Sequence, residues 1–330
     1  MINSSPKVHP LFYEKNACSG FKTRFVVFII AILFLADAGV DAKECHFNES
    51  PRIQDTVFGD FQIHRVANKD TLLEIARSYG LGFNDIRLLY PDVDPWIPEE
   101  GLLLLIPTQW ILPRSKHNIV INIPEMRMYM SEPGKKTVKT YPVGIGSEEW
   151  ETPPGIARVI SKIENPAWTV PLSIRHNYPR AQIPPGPDNP LGKYWIGLDK
   201  EGVGIHGTNI PWSVGRMLSH GCIRLYPEDI ERFYEEISVG ATVDILYEPI
   251  KLGLKEGKIY MEAHPDIYEK IKDYGSYVFS LLKKSDCLQY VSLKKVQKVM
   301  KEKKGIPVCI GDIENPIIAG RFRSLKSRMQ

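Results

Sequence analysis

IHGTNIPWSVGRMLSHGCIRL, residues 205–225, gathers one cysteine, two histidines, two serines and two arginines in a single short stretch, with Gly204 just ahead of it. A thiol attacks a carbonyl as its thiolate, so a nucleophilic cysteine needs a base or a cation within hydrogen-bond reach. Cys222 is the candidate nucleophile and His206, sixteen residues upstream, the candidate proton acceptor and donor. That spacing suits a strand and its return strand that bring both side chains to one face, with a turn at Pro211–Trp212 between them. Gly221 lets a substrate approach the backbone closely, and the amides near Gly221 and Cys222 are placed to form an oxyanion hole.

Outward from this stretch the texture is that of short β-runs: INI (121–123), RMYM (127–130), TVKTYPVGIG (137–146) and ARVISKI (157–163). Pro124, Pro133–Gly134, Pro153–Pro154 and Gly155 break them, which predicts an antiparallel, β-rich domain. A helix is expected from Pro227 to Ile237, its first turn carrying Glu228 and Asp229, and ATVDILYE (241–248) reads as the closing strand.

Upstream, residues 60–108 form a compact unit of strand, two helices and strand. An alternating run near Phe61–Val66 leads to a helix start at Asp70, Gly80 stops the first helix, and Phe83–Tyr90 ends at Pro91. Leu102–Ile106 is the returning strand, and residues 109–117 read as a linker. Beyond Pro249, LGLKEGKIYMEAH suggests a hairpin before a Lys-rich helical region from Ile267 to Lys304. There Tyr268, Ile271, Tyr274, Val278, Leu281 and Leu282 recur at helical spacing, as for packing on the catalytic domain.

At 330 residues the chain holds two or three domains. A net charge of +3 argues against nucleic-acid binding, and 43% apolar residues exclude wholesale disorder. Lys22 and Arg24 precede an apolar run, Phe25–Leu35, that is well short of the ~20 residues a spanning helix needs, so residues 1–42 read as a cleaved signal peptide. Export follows, with Cys18 lost and Cys45, Cys222, Cys287 and Cys309 retained in an oxidising compartment. Cys287 and Cys309 are close enough in sequence for a local disulfide, and the absence of zinc-ligand spacing argues against a metal.

The stretch His64–Pro107, HRVANKDTLLEIARSYGLGFNDIRLLYPDVDPWIPEEGLLLLIP, resembles a LysM module, which implies affinity for glycan strands of peptidoglycan. The His206…Ser219-His220-Gly221-Cys222 pattern resembles the signature of the YkuD-like L,D-transpeptidases of Gram-negative type. YPVGIG (141–146), WETPPG (150–155), NPAWTVP (165–171) and IPPGPDNPLG (183–192) extend that resemblance over 118–248; Pro154–Gly155 departs from a Thr-Gly found in many members. The resemblance implies a mainly β, sandwich-like catalytic domain at 115–248, a small βααβ LysM domain at 60–108 and a helical C-terminal accessory segment at 249–330.

Carried over by position, Cys222 is the nucleophile, His206 its proton partner, and Ser219, His220 and Gly221 frame the thiol. His220 either handles protons or orients the loop. Arg224 either orders the site or meets a substrate carboxylate, Arg216 is a candidate substrate cation or a surface one, and Trp212 either covers the cleft or packs. The implied reaction is acyl transfer from tetrapeptide stems of peptidoglycan through a Cys222 thioester, to a second stem (3→3 cross-link) or a lysine of an outer-membrane lipoprotein, with no metal or organic cofactor. A hydrolase on the same scaffold and a non-catalytic peptidoglycan-binding protein are the alternatives.

Overall fold

A computed structural model describes residues 56–132 and 137–313. The expected leader at 1–42, Cys45 and the Pro133–Gly134 turn lie outside them. Among the described residues no helix is long and apolar enough to cross a membrane.

The fold is mainly β. One curled eight-stranded sheet runs in the order Ile223–Arg224, Gly204–His206, Tyr194–Leu198, Gly155–Glu164, Thr242–Leu246, Ile119–Asn122, Arg127–Ser131, Val138–Pro142. It is mixed, not antiparallel as expected: Thr242–Leu246 pairs parallel with Ile119–Asn122, and Gly204–His206 pairs parallel with Ile223–Arg224. Its buried face is almost entirely β-branched or aromatic, and the helix Pro227–Glu236 lays Ile230 and Phe233 into that core.

In the N-terminal unit the strands Gln62–Arg65 and Leu103–Ile106 pair antiparallel around the helices Leu72–Ser78 and Phe83–Arg87. The first helix starts at Leu72, two residues later than expected. Thr71 caps it, its Oγ1 accepting from Glu74 N at 3.1 Å, while the Asp70 carboxylate closes a turn by accepting from Ala67 N at 2.7 Å. Part of the expected linker is a strand, Gln109–Ile111, paired with Val57–Gly59.

This unit sits tightly on the catalytic domain. Phe83 N donates to Val214 O at 3.3 Å, Arg77 forms a two-pronged ion pair with Glu228 at 2.7 Å, and Tyr226 Oη donates to Leu81 O at 3.1 Å. Gly215 has φ +77°, and a Cβ there would lie 2.3 Å from Phe83 N, so the seam itself requires glycine.

The C-terminal segment is not purely helical. Ile250–Lys255 and Lys258–Ala263 form the expected hairpin, turned by Glu256 and Gly257 at positive φ, and Val308–Asp312 adds a third strand. The helices Tyr274–Lys284 and Leu293–Glu302 bury Val278, Leu282, Val296 and Val299 on that sheet, so they fill a core of their own; of the expected packing residues, Tyr268 joins the catalytic core. Cys287 is disulfide-bonded but Cys309 keeps its thiol, donated to Gly311 O at 3.6 Å, so the expected local Cys287–Cys309 bridge does not form.

Where the three parts meet, Lys251 donates to Glu125 at 2.7 Å, to Glu262 at 2.8 Å and to Tyr129 Oη at 3.1 Å. Glu125, Glu262 and His264 lie close enough together to suggest metal ligands, but the Lys251 ammonium already bridges the two carboxylates as their cation.

Candidate active site

The parallel ladder that joins Ile205 to Ile223 and His206 to Arg224 decides which side chains meet. Strand alternation then puts Cys222, Arg224, Gly204 and His206 on one face of the sheet. The expected common face is therefore present, but it arises from parallel neighbours joined by a long crossover, not from a strand and its return. Within the crossover, Pro211–Ser213 forms a single 3-10 turn, and Met217–Ser219 leaves the main sheet to pair with Ile145–Gly146.

His206 is 3% exposed, and its Nδ1 lies 2.6 Å from Gly207 O. A carbonyl only accepts, so Nδ1 carries the proton and Nε2 keeps its lone pair as a base. Burial, reinforced by the Arg224 charge, pulls the imidazole pKa down to about 3, which keeps the ring neutral at ordinary pH. Trp195, opposite His206 in the antiparallel pair, stacks on the ring with centroids 5.7 Å apart. Sequence reasoning missed Trp195, although alternation along KYWIGL (193–198) would have placed it on this face.

Cys222 is partly exposed and its thiol donates to Gly202 O at 3.3 Å. Burial pushes the thiol pKa up, opposed by a hydrogen bond from the Gly204 backbone and by Arg224. The resting site thus holds a thiol and a neutral imidazole on one face of the sheet.

Ser219 is buried and its Oγ donates to Cys222 O at 2.5 Å, fixing the turn that carries Cys222. Gly221 has φ +95°, and a methyl group there would sit 3.5 Å from Glu151 O. His220 points outward against Trp150, with ring centroids 5.5 Å apart. Arg224 is drawn into the site, burial lowering its pKa, and its buried Nε meets no acceptor among the described residues.

Arg216 and Trp212 stand apart from this group. The Arg216 guanidinium lies 3.8 Å over the Phe83 ring and 5.7 Å from that of Trp212, which places both at the seam with the N-terminal unit; Trp212 is half exposed. A cavity of about 270 Å³ opens between the 186–193 loop and the start of the Pro227 helix; Gly207 and Thr208 line it, Cys222 and His206 do not.

The YkuD family, described as the L,D-transpeptidase catalytic domain, matches residues 116–245. The probable L,D-transpeptidase YcfS of Escherichia coli is 38% identical over 228 residues, covering 65% of this chain and 71% of that protein. The probable L,D-transpeptidase ErfK/SrfK of Salmonella typhimurium is 33% identical over 258 residues, covering 74% and 83%. Among solved structures, an L,D-transpeptidase from Mycobacterium smegmatis matches 43% of this chain and 63% of its own at 22% identity and a TM-score of 0.31. With a relative one-third identical along most of both chains, and the family's catalytic domain lying over the strands that carry Cys222 and His206, the chain belongs to the L,D-transpeptidases of the YkuD family and is an enzyme.

Proposed function

We propose that the chain cross-links or decorates peptidoglycan through a thioester on Cys222. The Cys222 sulfur attacks the carbonyl at the L-centre of diaminopimelate in a tetrapeptide stem while its proton passes to His206 Nε2. The carbon–nitrogen bond to D-Ala breaks, and the leaving amine takes the proton back from the imidazolium. An acceptor amine then attacks the thioester, gives its proton to His206 and releases the Cys222 thiol. The Gly221 and Cys222 amides serve the oxyanion, and Arg224 meets a substrate carboxylate.

The observation that carries this reading is the single sheet face shared by Cys222, His206 and Arg224, with Nδ1 of the histidine tied to Gly207 O at 2.6 Å. A buried guanidinium nitrogen without an acceptor supports an anionic ligand at Arg224.

The acceptor in this proposal is the side-chain amine of a second stem or a lysine of an outer-membrane lipoprotein, in the periplasm. Residues 60–108 act as a LysM module on glycan strands; their strand, helix, helix, strand order supports that role. The test is incubation with diaminopimelate-containing tetrapeptide muropeptides, read by mass spectrometry. Release of D-Ala with 3→3 dimers is expected; tripeptides alone would make the enzyme a hydrolase, and unchanged tetrapeptides would refute the proposal.

A further inference from the structure

Tyr268 belongs to the segment beyond the catalytic domain, yet its side chain ends beneath the active-site loop. Its Oη donates to Gly146 O at 2.7 Å and accepts from Thr152 N at 3.2 Å, closing the loop 146–152 at both ends. Thr152 Oγ1 in turn accepts from Gly146 N at 2.9 Å. The closure is tight enough to demand glycine, since a Cβ on Gly146 would lie 2.0 Å from Trp150 O.

From this loop a short run of hydrogen bonds reaches the nucleophile. Gly146 pairs with Ser219, Ser147 N donates to Ser219 O at 3.0 Å, and Ser219 Oγ donates to Cys222 O at 2.5 Å. The same loop sets Trp150 against His220 and runs its Glu151 carbonyl past Gly221. Lys270, two residues after Tyr268, adds an ion pair to Glu151 at 2.8 Å.

Tyr268 itself is held from behind. Its ring stacks on Tyr247 at 5.9 Å and its backbone N donates to Tyr247 Oη at 2.9 Å; Tyr247 donates to Asp266 at 2.5 Å. Asp266 also accepts from Lys270 N at 3.0 Å and Ile271 N at 2.7 Å, which fixes the 266–271 turn against the domain. A hydroxyl that meets two backbone groups of one loop, and whose ring is anchored elsewhere, constrains the loop more than it adds to the core.

We infer that Tyr268 is a positioning residue, through which the C-terminal segment sets the Cys222 turn for acyl transfer. This rests on Cys222 being the nucleophile. The segment is then part of the working enzyme, and Lys270 is a weaker second brace.

The experiment compares Tyr268→Phe, Lys270→Ala and Val278→Ala in the full chain. Val278→Ala empties a site in the separate C-terminal core and controls for loss of stability alone. Two readouts are taken: the rate of Cys222 alkylation by iodoacetamide across pH, and the rate of acylation by a carbapenem, a strained acyl donor. Tyr268→Phe is expected to slow acylation by about three- to tenfold and to displace the alkylation profile; Lys270→Ala gives a smaller change in the same direction. Val278→Ala is expected to lower the melting temperature and leave both rates near wild type. A Tyr268→Phe enzyme with wild-type rates and profile overturns the inference, as does equal slowing by Val278→Ala. Failure of the wild-type chain to take up the carbapenem would count against the transpeptidase reading, and the alkylation comparison would still decide the role of Tyr268.

Discussion

At the junction of the three parts, Lys251 meets three partners, Glu125, Glu262 and Tyr129, while on the catalytic face Arg224 buries a guanidinium nitrogen that meets none among the described residues. Both clusters are withdrawn from water, and both put charge where it is costly. The junction answers the cost by pairing its charges: Asn122 and Tyr129 donate to Glu125, and Ile111 N donates to Glu262 at 2.7 Å, although the buried His264 Nδ1 beside them meets no partner among the described residues. The catalytic face answers it by holding Cys222 and His206 neutral. The paired cluster joins the parts of the chain, whereas Arg224 keeps a buried nitrogen that the proposed function assigns to an anion.

Breaking each cluster should therefore harm different properties. Cys222→Ala is expected to reduce transfer by at least about a thousandfold while shifting the melting temperature by only about a degree or two, checked by muropeptide assay and thermal unfolding. Lys251→Met leaves two buried carboxylates facing each other and should cost about 3–5 kcal/mol in urea unfolding. Arg224→Met makes the converse case, with stability within about 1 kcal/mol of wild type and transfer slowed by about tenfold or more. Equal destabilisation by these two substitutions would erase the contrast.

The pH response sharpens it further. The folded pKa of His206, held at about 3, lies below the ordinary value of 6.5, so unfolded chains take up a proton that folded ones refuse. Its contribution to stability is present above about pH 6.5 and is lost as pH falls toward 3, a few kcal/mol in all. Acylation by a carbapenem should accordingly show no acid limb between about pH 5 and 7. A limb centred on the ordinary imidazole value would mean that the ring is open to water. The smallest effect is reserved for Ser219→Ala, which removes one hydrogen bond to Cys222 O and should cost about 1 kcal/mol in unfolding experiments.

The shared face of Cys222 and His206 was legible because the two lie in one short stretch whose residue types have few other uses together, and the surrounding β-runs announced their sheet. The direction of that pairing was not legible. Pro211–Trp212 imitates a hairpin turn locally, and only the long-range pairing of Met217–Ser219 with Ile145–Gly146 shows that the chain crosses over. Gln109–Ile111 passed for a linker because three residues carry little periodicity; Val57–Gly59 and the Glu262 carboxylate are what make it a strand. The position of Arg216 was not legible either, because its partner Phe83 lies in another unit of the chain. The helical spacing at 274–282 correctly predicted a buried stripe but could not say which core it fills, because the covering strand Val308–Asp312 comes much later in the sequence.

The most direct measurement is the intact mass of the full chain after brief exposure to a diaminopimelate-containing tetrapeptide stem, followed by peptide mapping. The account predicts an acyl adduct equal to the stem without its D-Ala, located on Cys222 and absent from Cys222→Ala. No adduct while the stem is still consumed, or an adduct that persists in Cys222→Ala, would contradict it.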